Sequence, residues 1–289
     1  MQDQIHVVLD SIASAEETPL KDDPRVHIMK LLVRLGDTEW EDGDKTLAEM
    51  FSLIDKTGKL PVTSQPPLGK MLELFTELTL KGKKLIVFTI DSVLSGTYQT
   101  ACTAARQVMA EHKGADIRVI DSKAATSPVS SMAMEVLRQS DLGMGLDELE
   151  ALANDMVKRT HMYFTVNTLE YLYKGGRIGA VGALLGSVLG IRPIVHIDRE
   201  GKLELVDKCR TRKKVIRRLA EFAAAHAPVE AVMVGNAESL ADCEKLKEEM
   251  EAVFPGVPVM LTGIGTVLAS HLGPGALGVY VRCKGEGKV

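Results

Sequence analysis

Three short stretches hold the residues that could do chemistry: Thr63-Ser64-Gln65-Pro66, Leu94-Ser95-Gly96-Thr97-Tyr98-Gln99 and His271-Leu272-Gly273-Pro274-Gly275. The first two sit where an apolar run gives way to an amphipathic helical pattern. Each therefore puts hydroxyls and free backbone N–H groups at a helix N-terminus, an arrangement that holds an anion without a full positive charge. A similar turn follows at Thr126-Ser127-Pro128, and His271 adds an imidazole within a glycine-rich turn. Every one of these has a plainer reading as a helix cap, a tight turn or a structural histidine. Their recurrence favours a site: if the turns near Ser64, Ser95 and Thr126 converge at one sheet edge, they form a rim for a carboxylate or phosphate.

Signatures of common catalytic machinery are missing. The chain has no GxSxG elbow, no HExxH and no GxxxxGK[ST] loop. Asp91, Asp121, Ser95 and His271 supply the residue types of a hydrolytic triad, but Ser95 lacks the elbow context that exposes such a nucleophile. An acyl hydrolase using Ser95 and His271 stands as the alternative to a binding pocket.

The elements that must position these residues follow from periodicity. Ile5–Leu9, Leu85–Ile90 and Ile117–Ile120 are apolar runs of strand length, each followed by polar turn residues and then by helical spacing, which predicts an α/β half with a mostly parallel sheet. His27–Val33 reads as one more strand, Glu39–Asp44 as an acidic turn and Thr46–Ile54 as a helix. Ser64 reads as the N-cap of a helix carrying Leu68, Met71, Phe75 and Leu78. In such sheets ligands sit beyond the carboxyl ends of the strands, where helix N-termini gather.

Beyond a helix over Leu146–Lys158 the character changes. Met162–Val166 is a strand, and Ile194–Ile197 and Leu203–Val206 form a hairpin around Asp198-Arg199-Glu200-Gly201. A helix over Leu240–Phe254 lies between strands at Val229–Val234 and Val257–Leu261, and Val279–Val281 closes a sheet. The apolar run Ile178–Ile191 is too short to span a bilayer and reads as a buried helix, with Gly182, Gly186 and Gly190 on one face. The helix from Thr211 buries Val215, Ile216 and Leu219, and turns a basic cluster that includes Arg210, Arg212, Lys213 and Lys214 outward as a solvated or docking face.

The 289 residues can bury a sizeable core, and the net charge of −4 gives no global attraction to nucleic acid or anionic lipid. The 45% apolar content comes mostly from aliphatic side chains, which suits an aliphatic core or tunnel. Cys102, Cys209, Cys243 and Cys283 are dispersed, so neither a disulfide framework nor a structural metal is expected. The opening Met-Gln-Asp-Gln lacks a basic segment followed by an apolar core, so a secretory signal is not expected and a cytoplasmic location is.

In order along the chain, these stretches resemble the DegV family of bacterial proteins. The resemblance rests on Asp10-Ser11 after the first strand, Trp40–Gly43, TSQP, LSGTYQ, Asp121-Ser122, Lys174-Gly175-Gly176-Arg177-Ile178, Arg210-Thr211-Arg212-Lys213-Lys214, and His271 with GPGALG. It implies a two-lobed α/β fold with a fatty acid enclosed between the lobes. On that resemblance, residues 1–158 form a head-group lobe with a mostly parallel sheet, and residues 159–289 form an acyl-chain and docking lobe with a mixed sheet. It further implies that Thr63, Ser95 and His271 hold the carboxylate, with Ser64, Gly96, Thr97 and Thr126 at the rim. The ligand would be a long-chain acid such as palmitate, stearate or oleate, with no cofactor or metal. The characterised branch implies a partner, a separate ATP-using fatty acid kinase that makes acyl phosphate for phospholipid synthesis, docked through Arg177, Arg210 and Arg212. A regulatory module with structural lipid is a further alternative.

Overall fold

The computed structural model describes residues 5–185 and 190–285. Strands β1 (Ile5–Asp10), β2 (Val26–Met29), β6 (Lys84–Thr89) and β7 (Ile117–Asp121) form a parallel sheet in the order β2-β1-β6-β7. Alternation along the strands sends side chains to opposite faces. Val8, Leu85 and Val87 pack beneath α2 (Leu68–Leu80) and α3 (Thr97–Glu111), while Val7, Leu9 and Phe88 pack beneath α4 (Ser127–Asp141) and α5 (Leu146–Lys158). With helices on both faces, the near-continuous apolar runs of β1 and β6 are what such strands require.

A six-stranded mixed sheet follows the order β10-β9-β8-β13-β11-β12. Its members are β8 (Thr160–Thr165), β9 (Arg192–Ile197), β10 (Leu203–Cys209), β11 (Val229–Asn236), β12 (Val259–Gly263) and β13 (Leu277–Cys283). Helices α7 (Arg212–Ala224) and α8 (Leu240–Val253) cover one face, packing on Tyr163, Ile194 and Val279. Met162, Phe164 and Ile197 point the other way, toward the parallel sheet. The strand at Val279–Val281 lies inside this sheet, between β8 and β11, and does not close an edge.

A small antiparallel sheet, β4 (Thr38–Glu41), β3 (Leu32–Leu35) and β5 (Val62–Ser64), packs with α1 (Leu47–Thr57) against α9 (Thr266–Leu272). A Thr46–Glu49 capping box starts α1 and Gly58, at φ 65°, ends it. Helix α6 (Glu170–Lys174) is one short turn.

Four expectations are corrected here. His27–Val33 is two strands in different sheets, β2 and β3. Between them the N–H of Leu31 donates to Ser11 Oγ (3.2 Å), and its carbonyl accepts from the Asp42 N–H (2.9 Å), so the chain turns away from the parallel ladder. Ser64 does not cap α2, because it pairs with Leu32 in β5 and the helix starts only after Pro67. Successive prolines at 66 and 67 hold the preceding residues extended, which delays the helix. The Ser64 turn therefore belongs to the small sheet, and the Ser95 and Thr126 turns belong to the parallel one. His271 sits in the last turn of α9, and the glycine-rich turn begins after it at Gly273, φ 73°. Finally, the described part of Ile178–Ile191 is a 3₁₀ turn at Gly179–Leu184, with Gly176 and Gly179 at positive φ breaking any longer helix. Gly186 lies outside the described residues, and Gly190 at φ 87° cannot share a helical face with Gly182.

The tip of the β9–β10 hairpin rests on the parallel half. A Cβ at Gly201, whose φ is +87°, would fall 2.2 Å from both carboxylate oxygens of buried Asp91. Gly201→Ala should therefore destabilise the chain by about 2 kcal/mol or more, through a strained backbone and overpacking. Urea unfolding checks this, and an unchanged midpoint would show that the hairpin does not press on Asp91.

Candidate functional site

A cavity of about 310 Å³ lies between the carboxyl ends of the parallel strands, the inner face of the mixed sheet and α9. The parallel half contributes Ile12 and Ile90, β8 contributes Met162 and Phe164, and α9 contributes Leu268 and Leu272. Polar groups gather at one end: Thr63, Ser64, Gln65, Ser95, Arg177 and His271. Because Ser64, Gln65, Gly96 and Arg177 are exposed, this polar end is the mouth.

Three of these groups, Thr63, His271 and Ser95, belong to hydrogen-bonded side-chain pairs. Thr63 Oγ1 and His271 Nε2 lie 2.8 Å apart, and Ser95 Oγ and Thr97 Oγ1 lie 2.9 Å apart. The Thr97 N–H also donates to Ser95 Oγ (3.3 Å), fixing the serine at the start of α3. Two hydroxyls hold two hydrogens and their mutual bond uses one, leaving one to donate to a ligand. The same count holds for Thr63 and His271 when the ring hydrogen is on Nε2, since that N–H donates to Thr63 and frees its O–H. The mouth thus offers uncharged donors to an anion.

His271 is held by what surrounds it. Its Nδ1 has no protein partner and lies against Gly175, where a Cβ would come within 2.4 Å of that nitrogen. Only glycine fits there, which gives the Lys174-Gly175-Gly176-Arg177 stretch a physical role. Burial first, and the Arg177 charge second, push the His271 pKa down to about 4. The imidazole is therefore neutral near pH 7. Arg177 donates from Nε to the Leu94 carbonyl (3.1 Å) and from Nη1 to the Gly175 carbonyl (2.8 Å). It ties the Ser95 loop to the strand of chain that packs against His271, and places one cation at the mouth.

Sequence reasoning missed the support beneath. Asp42 is buried and caps α9 from a distant part of the chain: Oδ1 accepts from Thr266 Oγ1 (2.9 Å) and the Val267 N–H (3.1 Å), and Oδ2 from Ser11 Oγ (3.0 Å). Trp40 Nε1 donates to the same Thr266 hydroxyl (3.2 Å). The only hint was the Trp40–Gly43 stretch, which reads as an acidic turn until Thr266 is placed against it. Asp10 accepts from the Ile90 N–H (2.7 Å), and burial raises its pKa to about 7.

The remaining candidates lie elsewhere. Thr126 is buried, pairs with Ser14 Oγ (3.2 Å), and lines a smaller chamber behind the main cavity, away from the mouth. Arg212 is committed to Asp242 (2.6 Å) and Ser239 (2.7 Å). Arg210 is exposed just beyond β10, at the opposite end of the hairpin from Leu203, which lines the cavity. Seven residue steps separate them, about 23 Å along an extended strand. The hydrolytic arrangement is not assembled: Ser95 bonds Thr97 and not His271. Asp91 and Asp121 engage Lys123 (3.6 and 2.8 Å) and loop N–H groups, not the imidazole. His161, His226 and Cys283 bring ligand-type atoms within 4.8 Å of one another. Yet the two rings stack face to face at 3.6 Å, so their in-plane lone pairs do not converge on one ion.

The fold and the mouth together define a two-part α/β protein with an apolar cavity that ends in hydroxyls, a neutral imidazole and an arginine. The chain matches the model of the DegV family, described as uncharacterised proteins, over residues 4–284, and it belongs to that family. A DegV domain-containing protein of Streptococcus pyogenes is 30% identical over 276 residues, covering 95% of this chain and 96% of the relative. Among solved structures, a fatty acid binding DegV family protein from Streptococcus agalactiae superposes with a TM-score of 0.87 at 26% identity, covering 98% of this chain and 99% of the other. A stearic acid-binding protein from Eubacterium ventriosum does so at 0.85 and 26%, covering 96% and 98%. Among the described residues no helix is long and apolar enough to cross a membrane.

The lowered His271 pKa gives a signed pH dependence. Between about pH 4 and the ordinary histidine value of 6.5 the folded chain binds fewer protons at this ring than the unfolded chain does. Its contribution to stability is therefore complete above 6.5 and lost as pH falls toward 4. His6 and His161, also lowered to about 4 by burial, act in the same window. His271→Gln should thus remove part of the acid loss, on the order of 1–3 kcal/mol. The check is denaturant unfolding of both proteins from pH 7.5 to 4.5, and parallel curves would contradict the assignment.

Proposed function

We propose that this chain binds one long-chain fatty acid, with the tail in the cavity and the carboxylate held by Thr63, Ser95 and His271. In this reading Ser64, Gly96 and Thr97 complete the rim, and the head group is presented to a separate ATP-dependent fatty acid kinase. The observation that carries the reading is the polarity gradient, an aliphatic cavity of about 310 Å³ that ends in paired hydroxyls and a neutral imidazole. That volume lies at the lower end of the range of small-molecule pockets, about 300–1,000 Å³. The fatty-acid-binding relatives at 26% identity support the same ligand class.

The energetics fit. A sixteen-carbon acid buries about fourteen methylenes, worth on the order of 11 kcal/mol as an upper bound. Ordering and association reduce this, leaving tight retention without any ionic bond. The carboxylate then needs hydrogen bonds only to avoid the cost of an unpaired buried charge. An ionised carboxylate is already a nucleophile, so transfer of a γ-phosphoryl group to it requires no base from this chain. It requires access, and the exposed Ser64, Gln65, Gly96 and Arg177 supply that at the mouth. For the kinase, Arg177 at the mouth and the exposed Arg210, at the far end of β10 from the cavity-lining Leu203, would lie at two ends of one footprint.

Native mass spectrometry and calorimetry on delipidated protein test the binding. One equivalent of stearate should bind, and Thr63→Val, Ser95→Ala and His271→Ala should each weaken it about ten- to hundredfold. Unchanged affinity in all three would move the head group elsewhere. With a fatty acid kinase present, Arg210→Glu should lower acyl phosphate formation and leave stearate affinity intact. Undiminished turnover would remove Arg210 from the docking face.

A further inference from the structure

Behind the main cavity lies a second chamber of about 20 Å³, room for little more than one carbon or one water. Four side chains line both spaces: Met162 and Phe164 on β8, and Leu268 and Leu272 on α9. All four are buried, and the two leucines are one helical turn apart on the same face. They are therefore a wall one side chain thick, with space on either side. On its far side the chamber meets polar groups, among them Thr126, paired with Ser14, and Asn236, whose Oδ1 accepts from the Ser239 N–H (2.9 Å).

We propose that Met162, Phe164, Leu268 and Leu272 set the longest acyl chain this protein accepts, and that the rear chamber takes the terminal carbon of a chain at that limit. The inference rests on the fatty-acid reading above and adds its length selectivity. Phenylalanine is a rigid wall, whereas methionine has three rotatable bonds and a soft sulfur, so Met162 is the member that can swing. A chain pushed past the wall meets the groups around Thr126 and Asn236, where an alkyl terminus would displace hydrogen-bonding contacts without replacing them. The main cavity rewards each methylene with about fourfold in affinity. That increment should stop where the wall begins.

The test is a ladder of saturated acids from fourteen to twenty carbons, each titrated into delipidated protein. Wild-type affinity should climb about fourfold per methylene and then flatten. Phe164→Ala should carry the climb roughly two carbons further, so that the acid two carbons beyond the wild-type limit gains about fifteenfold. Ala276→Val adds carbon inside the rear chamber, whose lining includes Ala276, and should weaken acids at the limit while sparing shorter ones. Because its effect is opposite in sign, it keeps the test decisive should Phe164→Ala fold poorly, and thermal melts establish which variants are folded. A folded variant of either kind that keeps the wild-type length profile overturns the wall and leaves the fatty-acid reading standing. A wild-type protein that binds no acid on the ladder overturns both.

Discussion

The arrangement of the mouth depends on one buried carboxylate. Asp42, contributed from just beyond β4, holds the N-terminus of α9 through Thr266 and Val267, and Ser11 at the end of β1 donates to its other oxygen. A negative charge at a helix N-terminus is stabilised by the unpaired N–H groups and the helix dipole there. Here the same charge joins three parts of the chain. Helix α9 is only seven residues long, so fixing its first turn fixes its last, about 7–8 Å away. The last turn carries His271 onto Thr63, and the intervening face carries Leu268 and Leu272 into the cavity. Gly265 lets this approach happen, since a Cβ there would fall 2.7 Å from an Asp42 oxygen.

Charge is kept away from the apolar space with the same economy. Asp10 lies behind Ile12 and Ile90, and burial raises its pKa to about 7, while buried Asp91 rises to about 6 for the same reason. Both are acids whose surroundings disfavour ionisation, as an aliphatic neighbourhood would cause. At the mouth the groups facing the cavity are hydroxyls, an amide and a neutral ring, with Arg177 as the cation among them, held on the Leu94 and Gly175 carbonyls. Such a site can hold a carboxylate by donated hydrogen bonds and release it without breaking a desolvated ion pair.

Much of this was legible where a local pattern decides the outcome. The α5 helix at Leu146–Lys158, the β9–β10 hairpin and the strands β1, β6 and β7 follow from periodicity, because burial on one or both faces sets the spacing of apolar residues. Thr63, Ser95 and His271 were named from motifs, and the fold brings them to one mouth. What could not be read was set by distant partners. His27–Val33 breaks because Ser11 and Asp42 take the backbone groups of Leu31. The first half of TSQP joins β3 in a strand, since the pairing of Val62, Thr63 and Ser64 with Arg34, Val33 and Leu32 outweighs its resemblance to a helix cap. His271 was placed in a turn because the glycines that follow α9 are conspicuous and its seven residues are not. Arg212 read as part of an outward cluster, and only the position of α8 shows that Asp242 claims it.

A structure of the protein crystallised with stearate tests the central claim most directly. The expected result is a single acyl chain in the cavity, its carboxylate oxygens within hydrogen-bond distance of Ser95 and of the Thr63–His271 pair, and its methyl end against Phe164 and Met162. A carboxylate pointing inward, or a chain bound outside this cavity with the Thr63–His271 and Ser95–Thr97 pairs untouched, would contradict the account.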